Sequence, residues 1–161
     1  IDAMKHLTRD SMAQLRAALD GLRAPGPADE PLSAAIQRLG VDLAQRSGLA
    51  VTCDVAAVAA DDLRPAAAAA LWRITQEALT NVERHAGATA VTIRLALLPP
   101  DAPARVVLTI ADDGRGLPPD AAARPGHYGL RGMRERVEGL GGTLTIVNHD
   151  GARLTAEIPL V

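Results

Sequence analysis

The chain has 161 residues, 48% of them hydrophobic, and a formal net charge of −2. That length suits one compact domain with a real core. Trp72, Tyr128 and Cys53 are its only aromatic and cysteine residues, which excludes base-stacking platforms, a disulfide framework and a Cys-x-x-Cys metal site.

Nor does the near-neutral charge suit a duplex-binding surface, so no nucleic-acid partner is expected. No apolar run reaches membrane-spanning length and no signal-peptide pattern is present. Cytoplasmic placement without direct membrane contact is therefore expected, with any tether in a part of the parent outside this sequence.

Residues 1–24 carry Met12, Leu15, Leu19 and Leu22 at the 3-4-3 spacing of a helix-bundle seam, as half of a hairpin would. Residues 25–31, rich in Pro, read as a stiff linker. From Leu32, the positions Ile36, Leu39, Leu43 and Ala44 predict a helix ending near Gly48, followed by a strand over Leu49–Val55. Cys53, between Val51 and Val55, reads as a small buried hydrophobe. Asp61-Asp62 offers an N-cap, and Pro65 suits the first turn of a long helix reaching Ala86-Gly87.

Strands are predicted over 91–97, by alternation, and over 106–110, more uniformly apolar and so more central. Residues 117–131 lack periodicity and read as a long lid-like loop. A helix is expected to restart near Gly132 and to close at Gly141-Gly142. Strands over 143–147 and 153–158 then flank the turn Asn148-His149-Asp150-Gly151. The fold class expected is α+β, a two-layer α/β sandwich with helices on one face of a mainly antiparallel sheet.

Three stretches carry candidate chemistry. On the long helix, Glu77, Asn81, Arg84 and His85 fall at i, i+4, i+7 and i+8, a polar row able to serve a metal–phosphate group. Alone, it reads equally as a solvated face. Asp112-Asp113-Gly114-Arg115-Gly116 follows a core strand, where a carboxylate can accept from an exocyclic amine and glycines admit a ligand. Alone, it is an ordinary Asp-Gly turn. Gly129-Leu130-Arg131-Gly132-Met133-Arg134 joins a glycine-rich loop to a helix start, an anion site with added positive charge or a pair of bare hinges.

In this fixed order the three stretches resemble the N, G1 and G2 boxes of a sensor histidine kinase. The closest likeness is to the subfamily that pairs with NarL/LuxR-type response regulators, within the GHKL superfamily of ATP-binding domains. That resemblance implies the Bergerat fold over residues 32–161, with residues 1–24 as the second helix of a dimerisation hairpin. It also implies ATP and Mg²⁺ as cofactors and a homodimeric parent. Glu77 and Asn81 would be catalytic, and Asn81 would hold the Mg²⁺. Arg84 and His85 would lie near the phosphates, and Asp112 would take the adenine amine. Gly114 and Gly116 would admit the base, while Gly129, Leu130 and Gly132 would let the lid cover the phosphates.

Two departures stand out. Gly151-Ala152 replaces the family's common Gly-Thr, and no acceptor helix with His followed by an acidic residue is present. His6 is followed by Leu7, so the acceptor histidine is expected upstream of residue 1. An anti-sigma-type serine kinase and a non-catalytic partner-binding module on the same scaffold are the alternatives.

Overall fold

The computed structural model describes residues 30–56, 63–98, 104–118 and 128–160, with only the backbone of Tyr128. The expected N-terminal helix, most of the linker, Asp61-Asp62 and residues 119–127 lie outside them. Helix α1 (Leu32–Ser47) buries Leu32, Ala35, Ile36 and Leu43 at helical spacing. It ends at Gly48, whose φ of 75° closes the helix with an N–H to the Ala44 carbonyl. Strand β1 (Ala50–Val55) follows.

Helix α2 (Pro65–Asn81) buries Leu71, Trp72, Ile74, Thr75, Ala78 and Leu79, and continues as one π-helical turn, Val82–Ala86, closed by Gly87. Its N-cap is Arg64, which makes no side-chain capping bond. This corrects the cap expected at Asp61-Asp62. Arg64 has an extended backbone (φ −59°, ψ 139°), the conformation a residue before proline prefers, so Pro65 rather than an Asx side chain sets the start.

Strands β2 (Ala90–Leu98) and β3 (Arg105–Asp112), helix α3 (Tyr128–Glu138) and strands β4 (Thr143–Asn148) and β5 (Ala152–Pro159) complete the described fold. Helix α3 begins before the expected restart at Gly132. Gly129, Leu130 and Gly132 are thus helical residues and not parts of a loop.

The sheet order is β1-β2-β3-β5-β4. β1 runs parallel to β2, across the connection made by α2, and the other pairings are antiparallel. As the apolar run of 106–110 predicts, β3 is central. Val91, Ile93 and Leu95 of β2, Val106, Leu108 and Ile110 of β3, and Leu154, Ala156 and Ile158 of β5 turn one face into the core. The opposite face carries Thr52, Thr92, Arg94, Thr109 and Thr155 in register across the strands. The fold is therefore the α+β two-layer sandwich that the sequence implies, with its helices on the apolar face.

Candidate functional site

Between α2, α3 and the sheet lies a pocket whose floor is the core itself. Ala78, Asn81, Val82, His85 and Ala86 form the helix wall, and Leu130 and Met133 of α3 stand opposite. Ile110 and Asp112 of β3, Ile146 of β4, and Ala152 and Leu154 of β5 make the floor. Gly116 and Leu117 form the mouth. Apolar walls with a few convergent polar groups suit an organic ring bearing a charged tail.

Asp112 stands at the end of the central strand, so its carboxylate emerges where the sheet stops. Its Oδ1 accepts the Gly114 N–H at 2.8 Å and, more weakly, the Ala152 N–H at 3.4 Å. Oδ2 keeps no hydrogen-bond partner among the described residues and can accept from a ligand.

The neighbouring Asp113 has a different job. Its carboxylate accepts from the Thr89 N–H at 2.7 Å, the Ala90 N–H at 2.9 Å and the Thr89 hydroxyl. These bonds, the hydroxyl foremost, hold its pKa down at about 2. Arg115 completes the anchorage. Its N–H reaches the Ala86 carbonyl at 3.0 Å and its Nε donates to the His85 carbonyl at 2.6 Å. Carbonyls that the end of a helix leaves free are thereby satisfied, and by a cation where the helix dipole favours one.

Gly114 packs where a Cβ would overlap the Ala86 carbonyl. Gly116 has φ +72°, and a Cβ there would lie 2.8 Å from Asn148 Oδ1. Both glycines are thus required by the loop's own packing.

Of the expected site residues, the structure brings Asn81, His85, Asp112, Gly116 and Leu130 to one pocket. Glu77, Arg84, Gly114, Gly129 and Gly132 do not line it. Glu77 extends from α2 to the first turn of α3, where its carboxylate packs so closely on Gly129 that a Cβ there would overlap it. Arg84 is exposed. Gly114 lies behind the pocket against Ala86. Arg131 pairs with Glu135 at 2.8 Å on the outer face of α3. Cys53 is partly buried beside Gly40, and desolvation raises its thiol pKa, as the hydrophobe reading requires. The anchoring pairs Asp113–Thr89 and Asn148–Leu117 and the other apolar walls are additional. The apolar run of 106–110 marks Ile110 as core, and nothing local in the sequence marks the anchoring pairs.

Comparison with known proteins now places the chain. The profile of the Histidine kinase-, DNA gyrase B-, and HSP90-like ATPase family matches residues 66–161, most of the chain and all of the pocket. The chain belongs to that family. It is 45% identical over 89 residues to the signal transduction histidine-protein kinase/phosphatase UhpB of Salmonella typhimurium, covering 55% of this chain and 17% of UhpB. It is 33% identical over 162 residues to the sensor protein VraS of Staphylococcus saprophyticus, covering 99% of this chain and 44% of VraS. The histidine kinase domain of the blue-light activated histidine kinase EL346 from Erythrobacter litoralis superposes with a TM-score of 0.67 at 25% identity, over 81% of this chain and 62% of that one.

The fold and family are those of the ATP-binding catalytic domain of sensor histidine kinases. This chain spans less than half the length of the two curated relatives. Among its described residues no helix is long and apolar enough to cross a membrane.

Proposed function

We propose that this chain binds Mg-ATP in the pocket between α2 and α3 and serves a two-component sensor histidine kinase as its catalytic domain. The parent would move the γ-phosphoryl of ATP to a histidine on a helix upstream of residue 1, releasing ADP. An aspartate of a NarL/LuxR-type response regulator would then receive the phosphoryl group. On this reading the parent is a homodimer, with residues 1–24 in its dimerisation hairpin, residues 25–31 as linker and this part in the cytoplasm.

The observation that carries the reading is Asp112, with one carboxylate oxygen used internally and the other left over, at the floor of an apolar slot. An adenine ring fits such a slot by burial, and its exocyclic amine donates to Oδ2. Guanine presents a carbonyl at the corresponding position and is disfavoured by a carboxylate. Asn81 and His85 stand on the helix wall, where phosphates leaving the slot would pass.

Asn81 offers one hard amide oxygen, and no three His, Cys, Asp or Glu side chains cluster among the described residues. That donor set fits Mg²⁺ whose remaining ligands are phosphate oxygens and water. When bound, the ion supplies charge neutralisation for phosphoryl transfer, which depends on positioning and electrostatics. Arg84 adds charge from the exposed side. Glu77, at the α2–α3 contact, orients the incoming group. Gly129 and Gly132 keep the first turns of α3 slim where the phosphates approach.

A nucleotide titration tests the site. Asp112→Asn is expected to weaken ATP binding by about 10- to 100-fold, the range of a hydrogen bond to a charged group. Undiminished affinity would sink the assignment. For the chemistry, the chain should phosphorylate a separately supplied acceptor-helix pair, and the Asn81→Ala variant should not.

A further inference from the structure

Asn148 ends β4 at the edge of the sheet, two residues beyond Ile146 on the same face of the strand. Its Oδ1 accepts the Leu117 N–H at 2.9 Å, and its Nδ2 donates to the Leu117 carbonyl at 2.8 Å. A single side-chain amide thus supplies both halves of a backbone pairing to a residue 31 positions away.

We propose that Asn148 is a positioning residue for the nucleotide pocket, a clamp that holds Gly116 and Leu117 at its mouth; this rests on the nucleotide reading above. The segment Asp112–Leu117 has two attachments. At its start, Asp113 and Arg115 fasten it to Thr89, Ala90, His85 and Ala86. At its end, Asn148 makes the side-chain hydrogen bonds that hold Leu117 to the sheet. Between the two attachments lies Gly116, whose φ of +72° and close approach to Asn148 Oδ1 shape the chain for this partner. Gly116 and Leu117 both line the pocket, so the clamp sets the width of its mouth.

The chemistry demands an amide. Leu117 presents one donor and one acceptor side by side. A carboxylate supplies acceptors only and opposes the Leu117 carbonyl, and a serine hydroxyl is too short to span both groups. Protonating a carboxylate, however, restores one donor and one acceptor in nearly the same places.

The test is Mg-ATP titration of the 161-residue chain as wild type, Asn148→Ala, Asn148→Asp and, for reference, Asp112→Asn. Asn148→Ala should bind about tenfold more weakly, equivalent to about 1.4 kcal/mol, chiefly through faster dissociation. The thermal midpoint of its nucleotide-free form should barely move, because the amide is exposed. Asn148→Asp should bind still more weakly at neutral pH and regain affinity as pH falls through its carboxyl pKa. Asp112 of the pocket and His149 and Asp150 on the adjoining turn are the ionisable side chains near it, so the recovery is read against the wild-type profile.

Wild-type affinity in both Asn148 variants, with Asp112→Asn impaired, overturns the clamp alone. Weakening at every pH together with a lowered midpoint reduces Asn148 to a structural role and also overturns it. Absence of Mg-ATP binding by the wild type, or an unimpaired Asp112→Asn, removes the nucleotide reading and the clamp with it.

Discussion

Adjacent aspartates carry different duties when their carboxylates meet different partners, Gly114 and Ala152 for Asp112 and the start of β2 for Asp113. Asp112 leaves one carboxylate oxygen without a hydrogen-bond partner among the described residues, while Asp113 spends its carboxylate on Thr89 and Ala90 at the start of β2. The pKa of Asp113 falls from an ordinary 3.8 to about 2 on folding. A lowered folded pKa stabilises the folded state above the unfolded value and loses that contribution as pH falls through the folded one. The wild type should therefore lose stability between about pH 4 and pH 2 through this group. In Asp113→Asn that part of the pH dependence should vanish, which thermal melts across the window measure directly. A second residue-scale prediction concerns Gly114. Its missing Cβ makes room for the Ala86 carbonyl, which is backbone and cannot rotate away. Gly114→Ala should cost about 1–3 kcal/mol in urea unfolding, the usual range for overpacking.

At the scale of elements, the end of α2 matters most. A π-helical turn occupies Val82–Ala86 and is fixed from two sides. Arg46 of α1 grips Glu83 with three hydrogen bonds of 3.0–3.2 Å, and that pairing lowers the Glu83 pKa and raises that of Arg46. Arg115 holds the His85 carbonyl from the other side. Arg115→Ala should lower stability by about 0.5–1 kcal/mol, the scale of a cation at an exposed helix C-terminus. Arg115→Lys should recover part of it, as urea midpoints would record. Much of this framework is legible in sequence. The alternation of 91–97, the apolar run of 106–110 and the glycines after α1 and α3 announce their elements, because each depends on neighbours within a few residues. The start of α3 is not legible. Residues 117–131 read as a loop for want of periodicity, yet Gly129 sits in a helix whose first turn must admit the Glu77 side chain. The π-turn likewise has no local signature, and its fasteners Arg46 and Arg115 come from distant elements. For the site, the row from Glu77 to His85 is visible at helical spacing, but only packing tells that Asn81 and His85 face the pocket and Arg84 does not.

In the molecule as a whole, pocket and core are one structure. Ile110, Leu130, Met133 and Leu154 are buried core residues and also line the slot. Trimming one should thus act on folding and on ligand together. Met133→Ala removes a fully buried side chain between α3 and the sheet, with an expected cost of about 2–5 kcal/mol and a wider slot. The reverse coupling gives a sharper test. A ligand that binds only the folded chain stabilises it by about 2.7 kcal/mol when present at 100 times its dissociation constant. For a domain of this size, each kcal/mol moves the midpoint by about 2–4 °C, so Mg-ATP should raise it by about 5–10 °C. At the same nucleotide concentration Asp112→Asn should show at most about half of that rise, because a tenfold weaker site is occupied at only about ten times its dissociation constant. A large upward shift common to both proteins would mean that the nucleotide binds elsewhere, whereas a rise halved or lost in Asp112→Asn ties binding to the carboxylate at the end of β3.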